Sequence, residues 1–473
     1  MDQIQVDIAI IGAGTGGMAA YREARKYTDR IALIDGGPLG TTCARVGCMP
    51  SKLLIAPAEA RHRAEDLAPF GLQGGEVKVD GKAVMKRVRE ERDRFVGFVH
   101  DAVAEFDEGH LLRANAVFED DHTLALSDRR RVSAKTIIIA TGSRPSVPPP
   151  FEAAGDRLIV NDDVFDWEDL PGSVAVFGAG VIGLELGQAL HRLGVDVRLF
   201  GRDHLVGPLT DPVVRDYAAK TFEAEFPAAL HADTEISRDG DKVVVKWDGQ
   251  EQRFDYLLAA TGRRPNVDGL GLEKTSIKLS TRGVPLYDPM TMQCGDSHIF
   301  IAGDALADAP ILHEAADEGR IAGENAARYP EVYKRARRTP LGVVFSDPQI
   351  GMAGQSYKGL NDKGVKFSVG EVSFEDQGRA RVMRMNKGVL RVYGEEDTGL
   401  LLGAEMIGPG AEHIAHLLAW SIESRLTVEE VLQRPFYHPV IEEGLRTALR
   451  MLNAALGFAA NPPLRCIDCG PGG

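Results

Sequence analysis

Apolar residues fall in short unbroken blocks along the first part of the chain, and the blocks run into glycine. "VDIAII", at the head of "VDIAIIGAGTGGMAA" (residues 6–20), predicts a strand that turns through glycine into an alanine-rich helix. "RIALID" predicts the next strand. The same succession returns at 173–190, "SVAVFGAGVIGLELGQAL", followed by the strand-like "GVDVRLF". Two further apolar strands, in "TIIIATGSRP" (136–145) and "YLLAATGRRPN" (256–266), end in Ala-Thr-Gly where each copy of the pattern would return its chain. The proline-rich "RPSVPPPF" between the copies reads as a stiff linker, because proline cannot join a sheet. From about residue 338 the rhythm changes. Strand-like "GVVFSD", "GVLRVYG" and "LLLGAEMIG" precede helical stretches, one of them opening on the capping-box pattern Thr427-x-x-Glu430. The expected fold class is α/β, with two Rossmann-like units followed by an α+β unit.

The glycines carry chemistry as well as turns. In Gly12-x-Gly14-x-x-Gly17 the first glycine permits the turn and the second lets backbone approach a pyrophosphate. The third packs helix against strand, and the helix N-terminus faces the anion. Asp35 closes the second strand, 23 residues after Gly12, where a carboxylate accepts from a ribose diol. The second copy has Gly178, Gly180 and Gly183, but 23 residues after Gly178 stands Gly201, followed by Arg202. Loss of the acid beside a guanidinium tilts the second site towards NADP over NAD; the alternative is that Arg202 is a solvated loop charge.

Composition narrows the class. A chain of 473 residues with 44% hydrophobic and 26% charged positions holds roughly two to four globular domains. A formal charge of -14 without a basic patch argues against nucleic acid as a partner. The N-terminus lacks a basic leader and no apolar run approaches membrane-spanning length, so a cytoplasmic protein with no membrane partner is expected. In a reducing compartment the paired cysteines of "TTCARVGCMPSK" (41–52) point to redox or metal chemistry. Gly47 gives Cys43 and Cys48 the freedom to meet, and a helix is expected from Ser51, with Pro50 in its tolerated first turn. Its partial positive charge, with Lys52 and Arg45, favours a thiolate. Zinc would need two further ligands that no neighbouring Cys or His supplies, so no metal site is expected.

Together the two fingerprints, "TTCARVGCMPSK", the Ala-Thr-Gly strands, "IFIAGDAL" and "FYHPVIEEGLRTAL" resemble the class I flavin-dependent pyridine nucleotide-disulfide oxidoreductases, most of all the dihydrolipoamide dehydrogenases. The resemblance runs from about residue 5 to about 457. It implies an FAD-binding domain in two parts (1–148 and 266–337), an NAD(P)-binding domain (149–265), a dimerisation domain (338–458) and a CxxC tail (459–473). FAD would be held by Gly12, Gly14, Gly17, Asp35, Thr42, Lys52, Ala116, Thr141, Gly142, Gly303, Asp304 and Leu312, with Ala116 near the adenine. NAD(P)H would be held by Gly178, Gly180, Gly183, Arg202 and Gly262. Cys43 would exchange with substrate and Cys48 would touch the flavin. His438, held by Glu443, would be the acid/base, reaching the disulfide of the other subunit in a homodimer, and Lys52 would pair with Glu185 near the flavin.

The resemblance implies electron transfer between NAD(P)H and a dithiol/disulfide, lipoyl protein or small disulfide. Two rivals stand beside it: a reductase of another disulfide or of a metal ion, and a non-catalytic nucleotide-binding redox sensor. Three positions depart from the family pattern: Thr41 replaces a glycine, Arg45 replaces an asparagine, and Gly201 replaces the glutamate usual in NAD users. The tail adds Cys466 and Cys469, which would relay electrons to a bulky substrate, bind metal with a second tail, or do nothing.

Overall fold

In the computed structural model the described residues are 3–75, 77–202 and 205–457. Cys466 and Cys469 lie outside them.

The unbroken apolar blocks become central strands. Gln3–Ile11 runs parallel between Ile31–Ile34 and Arg131–Ile139. Gln3, Gln5 and Asp7 alternate with apolar residues in its first half, whereas Ile8, Ala9 and Ile10 are at most 1% exposed, which is why its second half shows no polar alternation; each fully buried isoleucine contributes roughly 1.5–3 kcal/mol. The second copy repeats the order, with Ser173–Phe177 parallel between Asp196–Phe200 and Tyr256–Ala259. An antiparallel three-stranded sheet (Thr234–Asp239, Lys242–Trp247, Gln250–Phe254) is inserted before the last of these.

The chain then returns to the first unit, where Ile299–Ile301 pairs in parallel with Arg131–Ile139. The helix Leu312–Arg328 lies against Thr15–Ala24, and Gly319 is required there because a Cβ would overlap the Gly16 carbonyl oxygen. The two Ala-Thr-Gly crossovers meet: Ser143–Pro145 pairs antiparallel with Arg263–Pro265. This small ladder joins the two nucleotide units at the ends of their central strands.

Beyond residue 340 the sheet is antiparallel, in the order Leu341–Val344, Gln349–Gly354, Leu401–Gly408, Val389–Glu395, Phe367–Ser373. The helices Ala411–Glu423 and Glu443–Leu456 share one core with it. The capping box forms as read: Thr427 Oγ1 accepts from Glu430 N–H at 3.2 Å, and Glu430 Oε2 accepts from Thr427 N–H at 2.8 Å. No helix among the described residues is long and apolar enough to cross a membrane.

Candidate active site

The two glycine turns have the same geometry. Gly12 and Gly178 adopt φ of +107° and +112°, and a Cβ on either would strike a carbonyl oxygen, of Ala140 or of Ala260. A Cβ on Gly17 or Gly183 would strike the oxygen of its own first glycine. At Gly14 and Gly180, by contrast, a Cβ would meet nothing within 4 Å, so the middle glycine of each copy opens on space at a helix N-terminus. That opening suits a dinucleotide pyrophosphate in both units.

Asp35 uses both carboxylate oxygens, accepting from Ala13 N–H and Gly37 N–H at 2.7 Å each. It braces the first turn. Ala116 is buried in Ala116–Phe118; its neighbour Asn115 lies where a Cβ on Gly36 would be. Thr141 Oγ1 is buried without a hydrogen-bond partner, as a group awaiting a cofactor would be, and Gly142 and Gly262 adopt φ of +69° and +101° with open space around them. Gly303 precedes Asp304, which accepts from Ser143 Oγ at 2.8 Å, and Leu312 opens its helix 44% exposed. The residues present fit FAD in the first unit.

In the second unit Gly201 occupies the position of Asp35, its N–H bonded to Ala229 O at 3.0 Å much as Asp35 N–H bonds Leu112 O. A Cβ there would come within 3.0 Å of Leu230 Cδ2. Arg202 is exposed, and the two residues after it are outside the described set.

The cysteine segment folds as two consecutive helices, Thr42–Val46 and Cys48–Glu65, with Gly47 between them. The second begins at Cys48, three residues before the expected Ser51. Pro50 misleads because proline is tolerated anywhere in a first turn, so it does not mark which residue starts the helix. Each cysteine therefore sits in the first turn of its own helix. The Cys43 S–H donated to Cys48 holds the Cys48 thiol down at about 7 against partial desolvation, assisted by the Lys52 ammonium one helical turn on. The same bond, with burial, pushes the Cys43 thiol up. Lys52, not Arg45, is the nearby cation among the main influences on both sulfurs. The Arg45 charge also acts, behind partial burial and Arg263, on the half-buried Asp162 carboxyl.

Thr41 adopts φ +59°, ψ 154°, which explains the glycine usual there. Its Oγ1 partly compensates by accepting from Ala44 N–H at 3.3 Å. Relief of this strain, about 1–3 kcal/mol, outweighs the few tenths lost when glycine replaces a hydroxyl cap. Thr41→Gly is therefore expected to raise the thermal midpoint, and a midpoint equal to or below wild type would refute the strain.

Lys52 Nζ donates to Glu185 Oε1 and Oε2 at 2.9 and 2.7 Å, joining the cysteine helix to the helix of the second fingerprint, Val181–Arg192. His438 Nδ1 lies 2.9 Å from Glu443 Oε1, and Glu443 Oε2 accepts from Val440 N–H at 3.1 Å. The Glu443 side chain is 6% exposed while that of His438 is 75% exposed, so a buried carboxylate holds an imidazole that projects outward. Among the described residues no hydrogen bond or ion pair joins His438 to Cys43 or Cys48 of the same chain.

Several residues at the site have no signature in the sequence. Arg263 Nε donates to Ser143 Oγ at 2.8 Å, and Asn266 Nδ2 to Thr141 O at 3.1 Å. Glu318, 1% exposed, accepts from Gly303 N–H at 2.7 Å and from Arg337 at 2.7 Å. Burial pushes its carboxyl up to about 7 against the pull of that guanidinium. The first two join residues 120 and 125 apart in the chain, and the Glu318 contacts, 15 and 19 apart, bridge a helix to segments on either side of it.

Comparison with known proteins fits this geometry. The family model for pyridine nucleotide-disulphide oxidoreductase matches residues 6–328, and that for the dimerisation domain of the same family matches 341–449. The dihydrolipoyl dehydrogenase of Geobacillus stearothermophilus is 28% identical over 465 residues, covering 96% of this chain and 97% of that protein. The mercuric reductase of Streptomyces lividans is 30% identical, covering 92% and 93%. Among solved structures, the Cu(II) complex of the HOCl-induced flavoprotein disulfide reductase RclA from Escherichia coli superposes with a TM-score of 0.81 at 22% identity, covering 94% of this chain and 100% of that one. LpdA from Mycobacterium tuberculosis gives 0.80 at 23%, covering 95% and 99%. With two nucleotide turns, a cysteine pair between them and both family models matched, the chain belongs to the pyridine nucleotide-disulphide oxidoreductase family.

Proposed function

We propose that the protein moves two electrons between NAD(P)H and a dithiol/disulfide through Cys43 and Cys48, with dihydrolipoamide, free or protein-bound, as the preferred substrate. The observation that carries this reading is the cysteine pair in the first turns of two consecutive helices, beside the Lys52–Glu185 ion pair. Bound in the first unit, FAD would supply the two-electron chemistry that links the nicotinamide to the disulfide. Gly12, Gly14 and Gly17 would seat its pyrophosphate and Asp35 its ribose. Thr42, Ala116, Thr141, Gly142, Gly303, Asp304 and Leu312 would complete the site.

The remaining work is thiol exchange. Reduction of the Cys43–Cys48 disulfide leaves one thiol and one thiolate, and the lowered Cys48 holds the charge. Cys43, deprotonated by His438 of the second subunit, attacks the substrate disulfide and forms a mixed disulfide. The imidazolium returns the proton to the departing sulfur. Cys48 then attacks Cys43 Sγ, which breaks the mixed disulfide, releases the second substrate sulfur and restores the oxidised pair. Dihydrolipoamide oxidation is this sequence reversed, and the outward imidazole together with the dimerisation-domain match supports a homodimer with shared sites.

For the nucleotide, the absent carboxylate at Gly201 and the exposed Arg202 support NADPH. Gly201→Glu is expected to lower kcat/KM for NADPH and raise that for NADH, shifting their ratio by about tenfold or more. A Cβ at Gly201 also meets Leu230 Cα at 3.3 Å, so the side chain enters only with a shift of a few tenths of an ångström at Leu230. Steady-state ratios for the two nucleotides check it, and an unchanged ratio would reassign Arg202 to solvent.

A second reading, reduction of a metal ion through Cys466 and Cys469, is favoured by the mercuric reductases among the relatives. Assay of lipoamide, oxidised glutathione and mercuric ion, with and without residues 461–473, separates the two. Lipoamide turnover indifferent to the tail supports the first, and tail-dependent mercuric ion reduction without lipoamide turnover supports the second.

A further inference from the structure

The Lys52–Glu185 pair is gripped from a third side. Phe345 follows the strand Leu341–Val344 of the antiparallel domain. Its N–H donates to Glu185 Oε1 at 3.0 Å, and the face of its ring lies 4.6 Å from Lys52 Nζ. The grip continues along the helix Val181–Arg192, where Gln188 exchanges two 2.8 Å hydrogen bonds with the Asp347 main chain and Arg192 pairs with the Asp347 carboxylate at 2.9 Å. Glu185, Gln188 and Arg192 are 4%, 4% and 7% exposed, so the segment 345–347 is seated on a buried polar face. A salt bridge whose lysine side chain is 32% exposed does not by itself hold that lysine at one place; a ring face and a fixed acceptor together do.

We propose that Phe345 is a positioning residue for the redox pair: its N–H fixes Glu185, its ring face fixes the Lys52 ammonium, and the antiparallel domain thereby sets the charge beside Cys48. Of the charged and titratable groups that act most on Cys48, Cys43 and Lys52 favour the thiolate and Glu185 opposes it, less strongly than Lys52. The clamp stands on geometry, while its bearing on turnover rests on the function proposed above.

The test is the pH profile of iodoacetamide alkylation at Cys48 in the full-length reduced protein, with and without FAD. Trypsin cleaves at Arg45 and so separates the two cysteine peptides. Lys52→Met is expected to raise the Cys48 midpoint by about one pH unit, and Phe345→Leu by about half a unit. Phe345→Tyr is expected to restore the wild-type midpoint, and Phe345→Leu should add nothing in the Lys52→Met background. Phe345→Met, similar in volume but without a ring face, gives the same reading should Phe345→Leu fail to fold. An unmoved midpoint in folded Phe345→Leu or Phe345→Met, or an equal shift with Lys52 already removed, overturns the proposal. Because alkylation needs no substrate, these results are independent of whether wild type turns over any disulfide.

Discussion

Cys48→Ser is expected to lower disulfide turnover by at least about a thousandfold while both nucleotides still bind, because the electron pair then has no disulfide to enter. Serine neither forms the bond nor holds a thiolate-like charge near neutral pH. Cys43→Ala should also abolish turnover, with a second effect that serine at 48 cannot show. It removes the S–H that stabilises the Cys48 thiolate, so the alkylation midpoint of Cys48 should rise from about 7 towards the ordinary thiol range. The sign follows from the donor's role: a bond that favours the charged form lowers the pKa, and losing it moves reactivity to higher pH. Steady-state assays and peptide-resolved alkylation check the two arms. Retention of more than about a tenth of wild-type turnover in either variant is incompatible with the mechanism.

The second large effect belongs to His438. His438→Ala is expected to lower kcat with disulfide substrates by about 10²–10⁴-fold, while reduction of the Cys43–Cys48 bond by NAD(P)H in a single turnover stays near wild type. Glu443→Gln should fall between, since the buried carboxylate accepts from both Val440 N–H and the imidazole, and an amide cannot accept with both atoms. The outward projection of the imidazole adds a sharper test. Mixed dimers of Cys43→Ser and His438→Ala chains should each recover one complete site, giving about a quarter of wild-type activity after random exchange. A site built within one chain would recover none.

How legible the site was depended on what dictates each residue. The fingerprint glycines stood out because backbone collisions leave no other residue at Gly12, Gly17, Gly178 or Gly183, and a steric rule shows in any single sequence. The cysteine pair stood out by chemistry, though the helix start was misplaced by three residues because Pro50 is silent about which first-turn position it fills. Lys52–Glu185 and His438–Glu443 came through family resemblance; a 133-residue separation carries no local signal for the former. Phe345 and the Gln188 and Arg192 contacts with Asp347 were invisible, because main-chain groups of one domain satisfy side chains of another without leaving a pattern in either. Glu318 hid among the acids of an ordinary amphipathic helix. In the fold, the parallel units were plain from unbroken apolar runs, and the pairing of the two Ala-Thr-Gly crossovers emerged only in three dimensions.

The most direct measurement of the central claim is a thiol map of the oxidised protein, loaded with FAD, before and after anaerobic addition of one equivalent of NADPH. Cys43 and Cys48 are expected to resist alkylation before the addition and both to become reactive after it, with two new thiols per chain located on the two tryptic peptides flanking Arg45. Equal reactivity of the two cysteines before and after the nucleotide would contradict it.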